Sequence, residues 1–303
     1  MTTLTPRVVL VTRASAYQEL VARHGTHEQG RFFLEARGLS IEPLLKRHER
    51  LDTALRVVTQ GIPETWRRAR VSRTDLDRFV FEPEDLVVAV GQDGLVANCA
   101  KYLNGQHVLG INPDREEYEG VLVPHSADET GPLLAACFAG RVDIEPRTMV
   151  HAVLDDGLEL FALNEIFVGH RTHQSARYTL SWRGRRERQS SSGLIAASGT
   201  GATGWALSIN RQRRTNVRLP HPVDRALAFF VREAFPSVSS GTRLTEGLIG
   251  ADEIVEVTSE MNDGGVIFGD GIEGDRIDFS WGRRVRIGLA DRCLRLAKGT
   301  EEP

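Results

Sequence analysis

The chain has 303 residues, of which 41% are hydrophobic and 26% charged, and its formal net charge is −3 at pH 7. This length suits two modest domains that can each bury a core. The near-balanced charge gives no support for a nucleic-acid or membrane partner, and no apolar segment is long enough to span a bilayer. Three widely spaced cysteines, Cys99, Cys137 and Cys293, argue against a disulfide framework or a zinc site. We expect free, mostly buried thiols and a cytoplasmic protein, because the first apolar run is too short for a signal-peptide core.

The first half of the chain alternates short apolar runs with helical patterns. Continuous apolar runs are typical of strands that are buried on both faces. These runs are residues 8–11, 86–90 and 108–111. A helical pattern ends at Gly61-Ile62-Pro63, and residues 95–103 have the spacing of a second helix. This alternation predicts that residues 1–142 form an α/β domain with a doubly wound, mostly parallel sheet.

The second half, residues 143–303, predicts a β-rich domain whose last residues pack back on the first domain. The expected strands are residues 148–154, 158–162, 176–182 and 254–257. Trp182-Arg183-Gly184-Arg185 resembles a hairpin tip. In residues 223–235 the apolar side chains follow helical spacing, which predicts a helix there.

Gly91-Gln92-Asp93-Gly94 directly follows the second apolar run. Ligands of parallel sheets bind beyond the carboxyl ends of the strands, so Asp93 and Asn112 are expected at the same rim. A carboxylate there can accept the proton of a hydroxyl that attacks a phosphoryl group. Gly91 and Gly94 leave room for a close approach to phosphates. The alternative for so short a motif is an ordinary turn without a function.

Asn164 and Glu165 follow an apolar run in the second half and offer donors and acceptors suited to a ribose or an adenine edge. The alternative is a strand-end turn with a solvated Glu165. What favours a functional role is the later turn Gly199-Thr200-Gly201, whose backbone amides can come near a phosphate or a base.

The residues after that turn add further polar and aromatic groups. Thr200 and Thr203 offer hydroxyls, and Trp205 can stack on a base or lie in the core. The order of the three motifs along the chain indicates nucleotide chemistry.

This order resembles the NAD kinase family: a strand followed by Gly-x-Asp-Gly, then Leu-Asn-Glu, then Thr-Gly-small-x-small-aromatic, then a late Asp-Gly, here Asp270-Gly271. The similarity is greatest to the mitochondrial-type branch and extends over nearly the whole chain. Further matching segments are Val11-Thr12-Arg13, Gly110-Ile111-Asn112, Ser191-Ser192-Gly193-Leu194 and Ile209-Asn210-Arg211.

The resemblance implies an NAD kinase-like fold and phosphorylation of the adenosine ribose 2′-hydroxyl of NAD, with ATP or another phosphate donor. Asp93 would be the base, and Gly91, Gln92 and Gly94 would cradle the donor phosphates. Mg²⁺ would bridge those phosphates, with no protein side chain assigned to it. The residues expected to bind NAD are Asn112, Asn164, Glu165, Thr200, Thr203, Gly204, Trp205 and Ser208. The resemblance also implies a homodimer or a higher homo-oligomer.

The loop departs from the family's Gly-Gly-Asp-Gly-Thr at Gln92 and Leu95. Both changes fall where donor phosphates are expected, whereas Asp93 is retained. Leu95 is expected to pack inward from the first turn of the following helix. Two alternatives to an NAD kinase therefore stay open: a non-catalytic NAD(P)-binding pseudokinase, and a kinase of the same fold that acts on another nucleoside-like or polyol substrate. The sequence leaves the phosphate donor open, as it does the choice of NAD or NADH.

Overall fold

The structure is a computed structural model and describes residues 5–300. The chain divides into two compact units, one of Met1–Glu145 with Arg295–Pro303 and one of Pro146–Leu294. Within the described residues, no helix has both the length and the apolar character needed to cross a membrane. All three cysteines are free thiols, two of them buried and Cys293 half-buried, as predicted.

The first unit contains the helices and most of the parallel strands. Its elements are β1 (Arg7–Thr12), α1 (Ala16–His24), α2 (His27–Glu35), α3 (Glu42–Gly61), β2 (Arg67–Ser72), a 3₁₀ helix (Arg73–Arg78), β3 (Leu86–Val90), α4 (Asp93–Ala100), β4 (His107–Ile111), a 3₁₀ helix (Ala127–Glu129) and α5 (Thr130–Phe138). Helix α3 ends at Gly61, at the Gly-Ile-Pro signal that predicts its end.

The remaining elements are almost all strands. They are β5 (Val142–Leu154), β6 (Glu159–Ala162), β7 (Glu165–His170), β8 (Ala176–Trp182), β9 (Arg185–Ser191), β10 (Leu194–Ala197), a 3₁₀ helix (Gly201–Thr203), α6 (Trp205–Arg213), β11 (Leu227–Val231), β12 (Glu246–Ile249), β13 (Val255–Ser259), β14 (Gly265–Gly269), β15 (Ile277–Asp278) and β16 (Arg284–Thr300).

The sheet of the first unit runs in the order β2-β1-β3-β4, with the end of β16 beside β4, and all of these pairs are parallel. All five residues of β3 are buried, as its continuous apolar run predicts. Val11 pairs with Ala89, and Val90 pairs with Ile111. The loops after β1, β3 and β4 therefore leave the same edge of the sheet. The predicted doubly wound, mostly parallel α/β domain is confirmed.

The second unit is β-rich, as predicted. One antiparallel sheet holds β13 between β8 and the first part of β16, with β9 beside β8. The other has the order β12-β11-β10-β7-β14-β15. Side chains from both sheets, such as Tyr178 and Phe229, share one apolar core. The hairpin tip falls at Arg183 and Gly184, which both have positive φ.

The predicted helix over residues 223–235 is wrong, because this segment contains β11 (Leu227–Val231). All five residues of β11 are buried. Phe229 packs in the core between the two sheets, and Phe230 packs on the opposite face against Ala206 and Ile209 of α6. A strand that is covered on both faces shows no alternation of polar and apolar residues. Its sequence therefore resembles that of a buried helical segment.

Candidate functional site

The loop of residues 91–94 follows β3 and leads into α4, whose first residue is Asp93. The Gly91 amide donates to the carbonyl of Ile111 at 3.0 Å, which fixes the start of the loop to the end of β4. Gln92 is the N-cap residue of α4, and its exposed side chain makes no capping hydrogen bond. Gly94 is exposed as well. The loop therefore offers an exposed glycine and an exposed amide side chain at the carboxyl edge of the sheet.

Asp93 is half-buried, and the backbone holds its carboxylate in place. One oxygen accepts the amide of Leu122 at 2.8 Å, and the other accepts the amide of Val121 at 3.1 Å. Carboxylates that accept backbone amides form some of the stronger hydrogen bonds of proteins. These two bonds orient Asp93 and leave further lone pairs on its oxygens for a ligand proton.

Leu95 is 4% exposed and packs inward, as predicted. A side-chain carbon at Gly91 would lie 3.2 Å from the Cδ2 atom of Leu95. The leucine therefore lies under the start of the loop, where it contributes apolar packing and no hydroxyl group.

Asn112 lies at the same rim as Asp93, because the strands that precede them are paired neighbours. Its buried side chain is engaged locally: the amide nitrogen donates to the carbonyl of Tyr118 at 2.8 Å, and the oxygen accepts the amide of Asp114 at 2.9 Å. These bonds shape the loop after β4. A role of Asn112 in binding NAD stays a prediction.

In the second unit, the turn of residues 163–165 joins β6 to β7 and is held by Asp270. The carboxylate of Asp270 accepts the amide of Asn164 at 2.6 Å and the amide of Leu163 at 3.0 Å. The amide of Asp270 donates in turn to the carbonyl of Glu165 at 3.0 Å. Asp270 has a φ of +55°, an uncommon conformation for a residue with a side chain. Asp270 of the late Asp-Gly pair thus holds the backbone of the Asn-Glu turn by direct hydrogen bonds.

The side chains of Asn164 and Glu165 are half-buried, and within residues 5–300 we find no hydrogen bond to either of them. Burial, and then the nearby charge of Asp270, raise the pKa of Glu165 to about 7. The turn therefore presents two polar side chains whose hydrogen-bonding groups are available to a ligand.

The turn of residues 198–205 is fastened to the turn of residues 163–165. The amide of Ser198 donates to the carbonyl of Asn164 at 2.8 Å, and the Ser198 hydroxyl bonds to the carbonyl of Leu163. A side-chain carbon at Gly201 would overlap the carbonyl of Asn164, and one at Gly199 would overlap the carbonyl of His221. These two glycines are therefore required by packing within the protein.

The predicted ligand-binding residues of this second turn differ in exposure. Thr200 is buried, and its hydroxyl oxygen accepts a bond from Arg147 at 3.4 Å. Thr203, Gly204 and Ser208 are exposed at the start of α6. Gly271, after Asp270, is also exposed. The structure thus brings the backbone of Asn164 against Ser198 and Gly201, while the hydroxyl of the exposed Thr203 donates to the carbonyl of Thr200 at 3.0 Å.

Trp205 is half-buried and lines a cavity of about 410 Å³. Its ring stacks on Phe167, with centroids 5.9 Å apart, and the Arg232 guanidinium lies 4.7 Å from its centre. Phe268 also contacts Phe167, with ring centroids 4.8 Å apart. Of this cavity the sequence predicts Trp205 as a ring that can stack on a base, but not the arginines Arg232 and Arg276 that also line it.

Within the described part of the chain, no group of three or more His, Cys, Asp or Glu side chains is placed to hold a metal ion.

Comparison with known proteins finds NAD kinases that are similar to this chain in sequence. No protein-family model matches the chain. It is 37% identical over 134 residues to an NAD kinase of Aromatoleum aromaticum, covering 42% of this chain and 44% of that protein. It is 25% identical over 256 residues to the mitochondrial NAD kinase 2 of Rattus norvegicus, covering 68% and 60%. The chain thus spans about half the length of the curated relatives it matches.

The fold comparison extends over the full chain. The structure matches that of yeast NADH kinase complexed with NADH, with a TM-score of 0.59 at 15% identity, over 99% of this chain and 85% of the other. This match confirms the predicted NAD kinase-like fold. The chain is thus similar to curated NAD kinases in sequence over part of its length, and to yeast NADH kinase in fold.

Proposed function

We propose that this protein transfers a phosphoryl group from ATP or another donor to the adenosine ribose 2′-hydroxyl of NAD, which gives NADP. The observation that carries the proposal is the turn of residues 163–165. Asp270 fixes its backbone through two amides, while the side chains of Asn164 and Glu165 keep their hydrogen-bonding groups available. The similarity to curated NAD kinases supports the same reading.

Asn164 and Glu165 bind the adenosine side of NAD in this proposal. A neutral amide offers both donors and an acceptor, which suits a ribose hydroxyl or an adenine edge. With a pKa of about 7, Glu165 can accept a hydrogen bond from a hydroxyl when ionised or donate one to it when protonated. Either form can pair with a ribose hydroxyl, which is itself a donor and an acceptor.

Asp93 serves as the base. The 2′-hydroxyl oxygen attacks the terminal phosphorus of the donor, its proton passes to the Asp93 carboxylate, and the bond from phosphorus to the leaving phosphate oxygen breaks. The amides of Val121 and Leu122 hold the carboxylate in one orientation, which the proton transfer requires.

The donor phosphates bind at the 91–94 loop. The exposed Gly94 leaves its backbone open to a close approach, and the exposed Gln92 side chain can donate a hydrogen bond to a phosphate oxygen. Mg²⁺ on the donor phosphates would neutralise charge that develops during transfer.

The remaining predicted residues complete the NAD site. Thr203, Gly204 and Ser208 offer exposed polar groups at the start of α6, and Trp205 offers an aromatic ring. Thr200, Asn112 and Asp270-Gly271 have the same proposed role, and Thr200 and Asn112 are buried. We further propose that the protein works in the cytoplasm as a homodimer or a higher homo-oligomer. Light scattering coupled to size-exclusion chromatography tests the oligomeric state.

The decisive experiment measures NADP formation by the purified protein with Mg²⁺, using NAD or NADH as acceptor and ATP, GTP or polyphosphate as donor. NADP or NADPH formation with any one donor supports the proposal. Measurable NAD binding without turnover by any donor would overturn it in favour of a pseudokinase.

The double variant Gln92→Gly, Leu95→Thr restores the family's loop and is measured beside the parent. If the parent loop has a changed donor preference, the variant shifts the KM for the donor and leaves the KM for NAD unchanged. Activity that appears only in the double variant would mark the natural loop as inactive.

A further inference from the structure

Asp114 is the centre of the loop after β4. Its amide donates to the side-chain oxygen of Asn112 at 2.9 Å. Its carbonyl accepts the amides of Tyr118 at 3.1 Å and of Glu117 at 3.3 Å. The Asn112 side chain also donates to the carbonyl of Tyr118 at 2.8 Å. The loop is therefore closed around the backbone of Asp114.

The side chain of Asp114 joins this loop to α3. Arg50 of α3 donates to one oxygen of the Asp114 carboxylate and, at 2.6 Å, to the carboxylate of Glu116. The Asp114 side chain is 6% exposed, and within residues 5–300 its second oxygen is buried without a hydrogen-bond partner. A buried charge is costly unless it is paired. The Arg50 guanidinium is therefore the group that stabilises Asp114 in its buried position.

Helix α3 provides a fixed support for this ion pair. Its residues Ala54 and Val58 are buried in the core of the first unit. A second ion pair joins the same helix to the same loop, from Arg47 to Glu117 at 2.6 Å, but both of its side chains are exposed. Exposed ion pairs contribute little to stability. Of the two arginines, Arg50 is thus the one that we expect to hold the loop.

The loop leads directly into the backbone that holds Asp93. The amides of Val121 and Leu122 donate to the two oxygens of the Asp93 carboxylate. Leu122 is buried against β4, because a side-chain carbon at Gly110 would overlap the Leu122 carbonyl. Val121 is exposed and lies on the side of the loop. The position of the Val121 amide therefore depends on the loop more than that of the Leu122 amide does.

We infer that Arg50 is a positioning residue for Asp93. Through Asp114 it holds the loop after β4 on α3, and the loop holds the Val121 amide on the carboxylate. This inference rests on the proposed function, in which Asp93 is the base, and adds to it a residue that acts through the loop. A displacement of about 1 Å in a reacting group can cost about 10²-fold in rate, so a contact outside the reaction centre can control turnover.

Hydrogen exchange of the Val121 and Leu122 amides, followed by NMR, tests the inference without requiring turnover. In Arg50→Ala the Val121 amide should exchange about tenfold faster than in the parent or more, because exchange reports local opening. The Leu122 amide should change less. Arg50→Lys keeps a charged donor for Asp114 and should restore most of the protection.

The kinetics of the same variants give a second readout. Arg50→Ala should lower kcat by about tenfold to hundredfold and leave the KM for the donor as in the parent, because the 91–94 loop is unchanged. Arg50→Lys should recover most of the lost kcat. Asp114→Asn removes the charge with nearly the same shape and should change exchange and kcat in the same direction. It decides the question if Arg50→Ala does not fold.

Two control variants break other ion pairs of the same unit. Arg47→Ala removes the exposed pair with Glu117 and should match the parent in exchange and in kcat. Arg7→Ala breaks the bond from Arg7 to the buried Asp85, which lies at the opposite edge of the sheet, where β1 and β3 begin. It should lower the melting temperature and leave the Val121 amide and kcat as in the parent.

The outcomes separate this inference from the proposed function. If the parent forms NADP and the Val121 amide exchanges at the parental rate in Arg50→Ala and Asp114→Asn, the positioning role is wrong and the proposed function stands. Equal losses of kcat in Arg7→Ala and Arg50→Ala would also overturn the positioning role, because both would then act through stability. If no donor gives NADP but Arg50→Ala alone accelerates exchange at Val121, Arg50 still positions the Asp93 carboxylate and the proposed function falls.

Discussion

Asp93 and Glu165 are two half-buried carboxyl groups in opposite settings. Both oxygens of Asp93 accept backbone amides, at 2.8 and 3.1 Å. Within residues 5–300 the Glu165 carboxyl has no hydrogen bond, and burial and Asp270 raise its pKa to about 7. Backbone amides thus fix the position of the Asp93 carboxyl group, whereas the Glu165 carboxyl group is available to bind a ligand. A change at Asp93 should therefore affect both structure and chemistry, whereas a change at Glu165 should affect mainly the ligand.

The glycines of the two regions differ in the same way. A side-chain carbon at Gly94 would meet no atom within 4 Å, whereas one at Gly201 would overlap the carbonyl of Asn164. Glycine at position 201 serves protein packing, and glycine at position 94 leaves open space. The same residue type therefore marks an internal contact in one turn and an accessible backbone in the other.

The largest expected effect follows Asp93→Asn. A positioned base contributes about 10²–10⁴-fold to turnover, and the amide cannot replace it. Asparagine can accept only one of the two backbone amides, so we also expect a stability loss on the order of 1–3 kcal/mol. The affinity for NAD should be little changed. Steady-state kinetics, thermal melting and NAD titration measure turnover, stability and NAD affinity.

The exposed Asp77→Asn is the matched control and should change none of these quantities. Parental turnover in Asp93→Asn would remove Asp93 from the role of base. Lost NAD binding at parental stability would instead assign Asp93 to substrate binding.

Gly201→Ala should lower the free energy of unfolding. The added carbon overlaps the carbonyl of Asn164, and overpacking of this kind costs about 1–3 kcal/mol or more. Because the displaced turn carries Asn164, NAD affinity should fall together with stability. Denaturant unfolding and calorimetry test both effects. Gly274→Ala, at an exposed glycine with no atom within 4 Å of the new carbon, should leave both unchanged.

Glu165→Ala should weaken NAD binding with little change in the melting temperature. A ribose hydroxyl left without its partner costs about 1–3 kcal/mol, which is roughly a tenfold to hundredfold loss of affinity. Calorimetry measures the dissociation constant, and the exposed Glu159→Ala is the control. Equal losses of stability and affinity would favour the interpretation of this pair as an ordinary strand-end turn.

The raised pKa of Glu165 makes a separate prediction for the protein without ligand. The folded state holds the proton up to a pH of about 7, whereas an unfolded carboxyl releases it near 4.5. Between these values the folded state binds more protons, so this group lowers the free energy of unfolding as pH rises. Glu165→Gln has no carboxyl group to titrate at this position. Its free energy of unfolding, minus that of the parent, should therefore increase from pH 5 to pH 8. A difference that is independent of pH would contradict the raised pKa.

These contrasts also define how far the sequence predicts the structure. The runs at β1, β3 and β4 are short, apolar and bounded by turn residues, so their strands are predicted nearly to the residue. The equally apolar β11 is predicted as a helix, because only the tertiary structure shows that both of its faces are covered. The S-x-x-Q capping box at Ser15 is a signal that would have predicted the start of α1.

For the candidate site, the sequence identifies residues but not their partners. The contact between Asp270 and the turn of residues 163–165 joins positions more than a hundred residues apart. No local pattern predicts such a contact, nor the amides of Val121 and Leu122 on Asp93. The sequence predicts that Gly199 and Gly201 let a ligand approach, because it does not reveal that protein backbone lies against both of them.

The smallest expected effect concerns Gly94, the glycine that has open space around it. Gly94 is the second residue of α4, and alanine in a helix is more stable than glycine by about 0.5–1 kcal/mol. Because the added carbon has open space, Gly94→Ala should raise the melting temperature slightly. The same carbon lies where donor phosphates approach the backbone in our proposal, so the KM for the donor should rise while the KM for NAD stays constant. A higher melting temperature with an unchanged donor KM would show that the donor does not approach this glycine, and the phosphates would then have to bind through Gly91 and Gln92 alone.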